Sequence, residues 1–496
     1  MVASKLSGLK GLINNAAMEE AAAKNIKCKW RSVQSVVVSS AVVLCLLLYA
    51  SRFSAPTPYG ATGLFGPRAG GDAEEDGGAL VLDNQVRSPC SSLLSHSICC
   101  DRSDYNADAC FMVGDVRTDA ASLSLLLFPP QVPAPGATAE EERIRPYTRK
   151  WDGKINGTIP EVRLRVARPE EAAEHRCDVR HDAPVLVMTA GGYNHNYFHA
   201  FNDGFLPSWL MVQHLRRRVV LAVLAYNPRW AGTYKEIISG LSGYHVIDLL
   251  KDKRTHCFPG AIVGTRFHGY LTVDPARLRD KKTIVDFHQF LAGVYESSQQ
   301  GSKPAEIVVR RRPRLGIVSR RGTRVIENQA AVTQLATSMG FDVDILETPA
   351  NDKPLSAVYA SVSACDALVG VHGSDMTSFL LLRGGAAVTQ IAPLGLAQLS
   401  RDLFGTPALK MGLHYEQYDV RGHESSLSRR YSLHHVVVAD PERAKLKQGS
   451  SNEWEWDWDF IGRVYLDGQN VSLDLARFRE TLARTHSLLL QQQERV

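Results

Sequence analysis

Between residues 314 and 392 the chain carries apolar runs at 314–319, 341–346, 366–371 and 387–392, each followed by a segment of helical character. A strand that is apolar without alternation is buried on both faces, and a parallel sheet covered by helices on both sides provides that burial. The helix-like segments are 328–339, closed by Gly340, 354–364, with Pro354 in its first turn, and 374–382, closed by Gly384 and Gly385. One strand plus one helix recurs every roughly 25–30 residues, the signature of a doubly wound α/β sheet.

A similar series precedes it. The runs 184–190, 219–225, 245–250 and 261–264 alternate with helical stretches at 197–215, 234–241 and 281–298. The segment 299–304, Gln-Gln-Gly-Ser-Lys-Pro, reads as a linker. The expected architecture is therefore α/β with two Rossmann-like doubly wound domains, 89–300 and 301–450, and a ligand cleft between them. A C-terminal segment follows over 451–496, with a helix at 473–491 expected to pack back on the first domain. Trp454, Trp456 and Trp458 alternate with acidic residues there. That alternation predicts a strand packing its tryptophan face, with stacking on sugar rings as the alternative.

The amino-terminal part has a different character. Residues 33–50 carry no formal charge, with Lys24, Lys27, Lys29 and Arg31 before them and Arg52 after. A helix of that length, rising about 1.5 Å per residue, comes close to crossing a hydrocarbon layer of about 30 Å. The basic flank places 1–32 in the cytosol and the body in the lumen. A cleaved signal peptide is the rival, but its apolar region would be shorter and nearer residue 1. Residues 51–88, rich in Gly, Ala, Pro and Ser, read as a flexible stem. A single-pass type II protein of the Golgi membrane follows as an expectation.

Asn156 and Asn470 head glycosylation acceptor triplets, and cysteines at 90, 99, 100, 110, 177, 257 and 365 fit disulfides in an oxidising compartment. These seven cannot all pair within one chain, so at least one is free or intermolecular. Zinc is the alternative for the first four, although they contain no paired C-x-x-C units. Net charge is +5, from 57 basic and 52 acidic side chains, which argues against a nucleic-acid binder. The runs Arg216–Arg218 and Arg310–Arg312 read as solvated surface.

Three segments carry candidate chemistry. At 371–376, Val-His-Gly-Ser-Asp-Met, a buried strand ends, Gly373 permits a tight turn and a helix begins with Ser374 or Asp375 as cap. Unpaired N–H groups and a positive helix end there suit an anion, with a diphosphate as the natural occupant. A simple turn with a partly buried His372 is the alternative. At 320–324, Arg-Arg-Gly-Thr-Arg, followed by Asn328, arginines sit beyond a strand's carboxyl end, where ligands of doubly wound sheets lie; a solvated loop is the alternative. At 194–203, His195, His199 and Asp203 recur every fourth residue and share one helix face. Asp203 or His199 suits a general base, with a metal pair or a purely structural role as alternatives.

Together, the segments HNYFHAFND, SRRGTRVIEN, VGVHGSDMT and QNVSLDLARF resemble plant glycosyltransferase family 61, most closely its grass xylan-modifying branch, and the likeness runs from Cys177 onward. The resemblance implies a GT-B fold, an inverting mechanism and no essential metal or cofactor. It assigns Arg320, Arg324, Asn328 and His372-Gly373-Ser374, with the neighbouring Asp375, to the nucleotide sugar, and His199 and Asp203 to the acceptor. Other members have Glu after the motif's His where this chain has Ala200, which favours Asp203 as base. The implied reaction moves a xylosyl or arabinofuranosyl unit from a UDP-sugar onto xylan or a related cell-wall glycan. Implied partners are the donor, the glycan, the Golgi membrane and other glycosyltransferases, with no nucleic acid. The alternatives are a silent lumenal nucleotide-sugar-binding or scaffold protein and a β-1,2-xylosyltransferase acting on protein N-glycans. An oxidoreductase is disfavoured, because no G-x-G-x-x-G follows a strand. The D-x-D pairs Asp342/Asp344 and Asp457/Asp459, which a metal-dependent transferase would need at a phosphate, fall inside a predicted strand and in the tail.

Overall fold

The computed structural model describes residues 81–130, 141–298, 312–347, 354–448 and 453–494. The expected cytosolic tail, the membrane anchor at 33–50, the stem up to residue 80 and the linker at 299–304 lie outside the described residues. No helix among the described residues is long and apolar enough to cross a membrane.

The first sheet is built from β1 (Ser97–Asp101), β2 (Ala109–Asp119), β3 (Ser124–Phe128), β4 (Glu142–Ile144), β5 (Val162–Val166), β6 (Val179–Arg180), β7 (Val185–Thr189), β8 (Val220–Leu224), β9 (Ile247–Asp248) and β10 (His256–Gly264). Its order is β4-β5-β3-β2-β10-β7-β8-β9, with β1 on β2 and β6 on β10. From β10 to β9 the strands run parallel, and these are the ones that the apolar runs predict. Antiparallel pairs dominate the other half, where β2 joins β1, β3 and β10.

The second sheet holds β11 (Arg314–Ser319), β12 (Asp342–Glu347), β13 (Ala367–Val371), β14 (Ala387–Ala392) and β15 (His414–Asp419). All its pairings are parallel, in the order β12-β11-β13-β14-β15.

One apolar core runs between the two sheets. Phe201, Phe205 and Trp209 of the segment after β7 pack with Phe287 and Leu291, and the same core continues through Met376, Phe379 and Phe404. The C-terminal helix, Leu475–Gln493, corrects one expectation. It covers the second sheet rather than the first domain, with Phe478, Leu482 and Leu489 against Leu315, Ile317, Val332 and Phe341. A bridge between Ile326 and Val471 delivers the chain to that face, and residues spaced by four and seven form one apolar stripe. The tryptophan run also differs from expectation. Trp454–Trp456 forms a strand paired with Leu446–Gln448; Trp456 packs half-buried against the cluster of Ile461 and Tyr465, whereas Trp454 remains 69% exposed.

The end of the predicted stem is packed rather than loose. Leu82, Asp83, Asn84, Gln85 and Ser88 are buried, and the Arg266 guanidinium donates to Asp83 at 3.0 Å and Asp101 at 2.5 Å. Disulfides join Cys90 to Cys99, Cys100 to Cys110 and Cys177 to Cys257. Cys365 is the free cysteine among the described residues, and burial pushes its thiol up to about 11, which leaves it unreactive. Removing one partner of a buried ion pair strands the other charges. Arg266→Met is therefore expected to lower the urea-unfolding free energy by about 3–5 kcal/mol, and a loss below about 1 kcal/mol would refute the role given to this triad.

Candidate active site

The chain leaves β7 through Gly191 and Gly192 and enters a helix at Tyr197. Asn196 caps it by accepting from the amide of Phe198 at 2.9 Å. After one turn the helix widens into a π-helical turn, Ala200–Phe205, and then continues as Leu206–Val212. Such insertions re-aim side chains and are frequent at functional sites. Here the wide turn carries Asn202 and Asp203 into the interior, and the Asp203 side chain is 0% exposed.

A buried carboxylate requires partners, and Asp203 has four. Its Oδ2 receives the Arg149 Nε–H at 2.9 Å, the His199 Nδ1–H at 2.5 Å and the Tyr147 hydroxyl at 3.4 Å, while Oδ1 receives the Asn202 amide at 2.7 Å. Burial by itself pushes the carboxyl up, but the bond from His199 and the charge of Arg149 outweigh it and hold Asp203 below the usual carboxylate range. The four-residue spacing does bring His199 and Asp203 together. It does not bring His195, which turns away to the Gly192 carbonyl at 3.3 Å. His199 is the member that reaches solvent, with its side chain 23% exposed and its ring 4.9 Å from that of Tyr193. With Nδ1–H directed at Asp203, Nε2 is the ring nitrogen left to accept a proton.

Arg149 and Tyr147 were not found from the sequence. They lie more than fifty residues upstream, in no recognised motif. The clustered Tyr147, Arg149, Lys150 and Trp151 were the available signal.

The second half of the site lies where β11 and β13 end. In the order β12-β11-β13-β14 the chain leaves β11 for β12 and β13 for β14, in opposite directions along the sheet, and the crevice at such a switch point is where open α/β sheets bind ligands. Beyond β13, the His372 amide donates to Ile391 O at 2.9 Å and the Met376 amide to Gly373 O at 2.9 Å. The amides of Gly373, Ser374 and Asp375 between them find no acceptor among the described residues. They head a 3₁₀ helix, Ser374–Leu381, not the α-helix expected, and Ser374 and Asp375 are half-buried rather than sealed inside.

Gly373 is required sterically. Its φ is +155°, and an added Cβ would lie 2.3 Å from Nη1 of Arg320. Arg320 thus lies against the turn and donates to Asp375 Oδ2 at 2.5 Å. Arg324 has φ +56° and gives Nη1 to the His372 carbonyl at 3.2 Å, while its buried Nε has no partner. Among the described residues no carboxylate lies within ion-pair distance of Arg324. Burial first, and then the charge of Arg320, outweigh the more distant charges of Asp467 and Asp375 and push its guanidinium down to about 10, so among the described residues the site holds a cation with no direct ion-pair partner. His372 is buried, pairs with the Gln390 amide at 3.1 Å and is pushed down to about 3 by burial and by both arginines. Its ring is neutral.

Asn328 does not join this group. Its amide donates to Leu473 O at 2.8 Å and its oxygen accepts from Leu473 N at 3.0 Å, so it ties the C-terminal segment down. The D-x-D pairs are also elsewhere: Asp344 pairs with Arg314, and Asp457 caps a short helix. Asn470 is engaged as well, accepting from Val325 N at 3.1 Å, whereas Asn156 ends the turn Gly153–Asn156, half-buried. A groove of about 910 Å³ beside Lys235, Glu236 and Phe290 shares no residue with the site.

Aromatic rings join the halves. His199 lies 5.3 Å from Phe198, Phe198 lies 5.4 Å from Phe404, and Phe404 lies 5.4 Å from His372. A partly exposed histidine and a turn with unpaired amides are thus linked through two buried rings, the two kinds of group that a transfer from a phosphorylated donor to a hydroxyl requires.

No protein-family model matches the chain. It is 36% identical over 414 residues to a xylan glycosyltransferase of Arabidopsis thaliana, covering 81% of this chain and 82% of that protein. It is 34% identical over 404 residues to a β-1,2-xylosyltransferase of Oryza sativa subsp. japonica, covering 79% and 84%. An α-1,3-arabinosyltransferase of the same rice is 31% identical over 386 residues, covering 77% and 63%.

The neutral His372 gives stability a definite pH dependence. Between its folded value of about 3 and the ordinary 6.5, the unfolded chain binds the extra proton. The contribution is complete above pH 6.5 and is lost as pH falls towards about 3. His372→Gln removes that titration and is expected to move the acid-unfolding midpoint, followed by tryptophan fluorescence, to lower pH. A midpoint that rises would contradict the assignment.

Proposed function

The chain belongs to plant glycosyltransferase family 61, in its xylan-modifying branch, and from that premise we propose that it is an inverting pentosyltransferase. It moves a xylosyl or arabinofuranosyl unit from a UDP-sugar onto xylan. One observation carries the mechanism: His199, oriented by a buried carboxylate, stands two aromatic rings away from a turn with unpaired amides and an uncompensated arginine.

In this mechanism the donor diphosphate lies on the Gly373, Ser374 and Asp375 amides beside Arg324, with Arg320 holding the turn. His199 Nε2 takes the proton from an acceptor hydroxyl. The hydroxyl oxygen attacks the anomeric carbon from the face opposite the diphosphate, and the electrons of the breaking carbon–oxygen bond pass to the leaving phosphate. Arg324 and the amides stabilise the charge that develops there, the part that a divalent ion plays in metal-dependent transferases. Asp203 is the positioning residue rather than the base, because it is inaccessible and both its oxygens are occupied. It fixes the tautomer of His199 and stabilises the imidazolium that forms, as the aspartate of a hydrolase triad does.

The remaining parts of the reading rest on chemistry already described. Three disulfides favour an oxidising lumen. The uncharged stretch at 33–50 supports a type II anchor in the Golgi membrane. The two α/β sheets, each bearing one half of the site, favour the GT-B arrangement.

The test is to incubate the protein with UDP-xylose and UDP-arabinofuranose and a series of xylo-oligosaccharides, followed by linkage analysis. His199→Ala is expected to lower kcat by about 10²–10⁴-fold. Asp203→Asn should lower kcat on the same scale while leaving the donor KM within about twofold. Arg324→Ala should chiefly raise the donor KM. Undiminished transfer by His199→Ala would remove it from the mechanism.

A further inference from the structure

Large exposed aromatic rings are ordinary when scattered singly, but a fixed pair beside a reactive group is not. Tyr105 is 71% exposed and Trp151 47% exposed, and their rings lie 6.3 Å apart with only 11° between their planes. Both stand on turns that are tied down. The Trp151 indole N–H donates to Asn106 Oδ1 at 2.9 Å, and the Lys150 amide donates to Asn106 O at 3.0 Å. The Asn106 amide in turn bonds Asp104 at 2.8 Å, and Asp104 accepts from Arg277 at 2.8 Å. The two rings are therefore held nearly parallel and in place, which lowers the ordering cost when a flat ligand settles against them.

The pair is also continuous with the candidate base. The Arg149 guanidinium lies 5.8 Å from the Trp151 ring and 6.0 Å from that of Tyr193, whose ring is 4.9 Å from His199. Arg149 holds this place in a left-handed backbone conformation, φ +62°, while bonded to Asp203. Tyr193 is anchored beside it, its hydroxyl 3.4 Å from Asp152. An aromatic strip thus runs from the surface to the imidazole.

We propose that Tyr105 and Trp151 form a stacking platform for the acceptor glycan chain, a subsite that holds sugar units already linked to the one whose hydroxyl reaches His199. The proposal rests on the reading of function above. A sugar ring offers an apolar C–H face to an aromatic plane and hydroxyls at its edge. Polar groups stand on the same two turns, Asp104 next to Tyr105 and Lys150 next to Trp151, with Lys150 bonded to Asp108 and Asp108 in turn to Arg102. A protein partner would need a desolvated centre depleted of charge and broader than these two rings, which stand directly beside charged residues. A nucleotide base would stack as well, but the uncompensated cation that suits its phosphates lies at Arg324, across Phe198 and Phe404.

Titration calorimetry of the full-length protein with xylohexaose and, separately, with UDP tests this. Tyr105→Ser with Trp151→Ala is expected to weaken xylohexaose about tenfold or more and leave UDP affinity unchanged. Tyr105→Phe with Trp151→Phe keeps both rings and should bind within about threefold of the wild type. Tyr105→Ser alone removes an exposed ring and should still weaken xylohexaose several-fold, which decides the matter if the double variant fails to fold. Unchanged xylohexaose affinity in Tyr105→Ser and the double variant overturns the platform, as does a wild type that does not bind xylohexaose. Weakened UDP binding with xylohexaose unaffected would assign the rings to the donor and also overturn it. If the rings matter for xylohexaose but no pentose is transferred from any donor, the platform stands and the transfer reading fails. If transfer proceeds and the rings do not matter, the reverse holds.

Discussion

The site is organised around a single buried charge. Asp203 has lost contact with water, and an ionised carboxylate in that position costs several kcal/mol unless the protein supplies charge and hydrogen bonds. Four donors from two parts of the chain meet it: Arg149 and Tyr147 before β5, and His199 and Asn202 from the helical turn Tyr197–His199 and the π-helical turn that follows it. Each donor is thereby fixed in place, and the fixing has consequences further out. Asn202 also accepts from Leu271 N at 3.0 Å, and Tyr147 from Tyr193 N at 3.0 Å. Holding Asp203 ionised thus sets the orientation of His199, the neighbouring Tyr193 and the strained backbone at Arg149.

The opposite wall works by leaving charge incomplete. Arg320 has Asp375, but Arg324 has only a carbonyl, and burial weakens its hold on its proton. Among the described residues, three turn amides beside it also find no acceptor. Such a deficit persists in a folded protein only when a ligand completes it, or when the rest of the fold outweighs it. The two walls differ in sign and in chemistry: one carries a preformed anion that orients a base, the other a preformed cation that lacks its anion. The Phe198–Phe404 contact holds them together without adding a polar group that would compete with either.

Much of the second sheet could be read directly. The runs at 314–319 and 387–392 coincide with β11 and β14, because a strand buried on both faces must be apolar throughout. The antiparallel half of the first sheet, β1 to β5, was not read, although β3 is buried throughout and apolar after Ser124, because its strands are not separated by helices of more than one turn; β1 and β2 are tied instead by Cys90–Cys99 and Cys100–Cys110. In the site, helical spacing was enough to join His199 with Asp203, and the strand–glycine–helix pattern was enough for the turn at Gly373. Asn328 looked equivalent to Arg324 in sequence, yet its amide is occupied by Leu473, a partner 145 residues away.

Local pattern by itself determined the parallel strands, the glycine turn after β13 and the pairing of a histidine with an aspartate four residues on, since each depends on spacing within one element. Which of those two residues faces solvent was decided only in three dimensions. The π-helical turn buries Asp203, Arg149 arrives from 54 residues upstream, and His199 is left with its free nitrogen outward. Burial and long-range charge depend on what other segments bring to a position, and spacing along the chain carries no record of that.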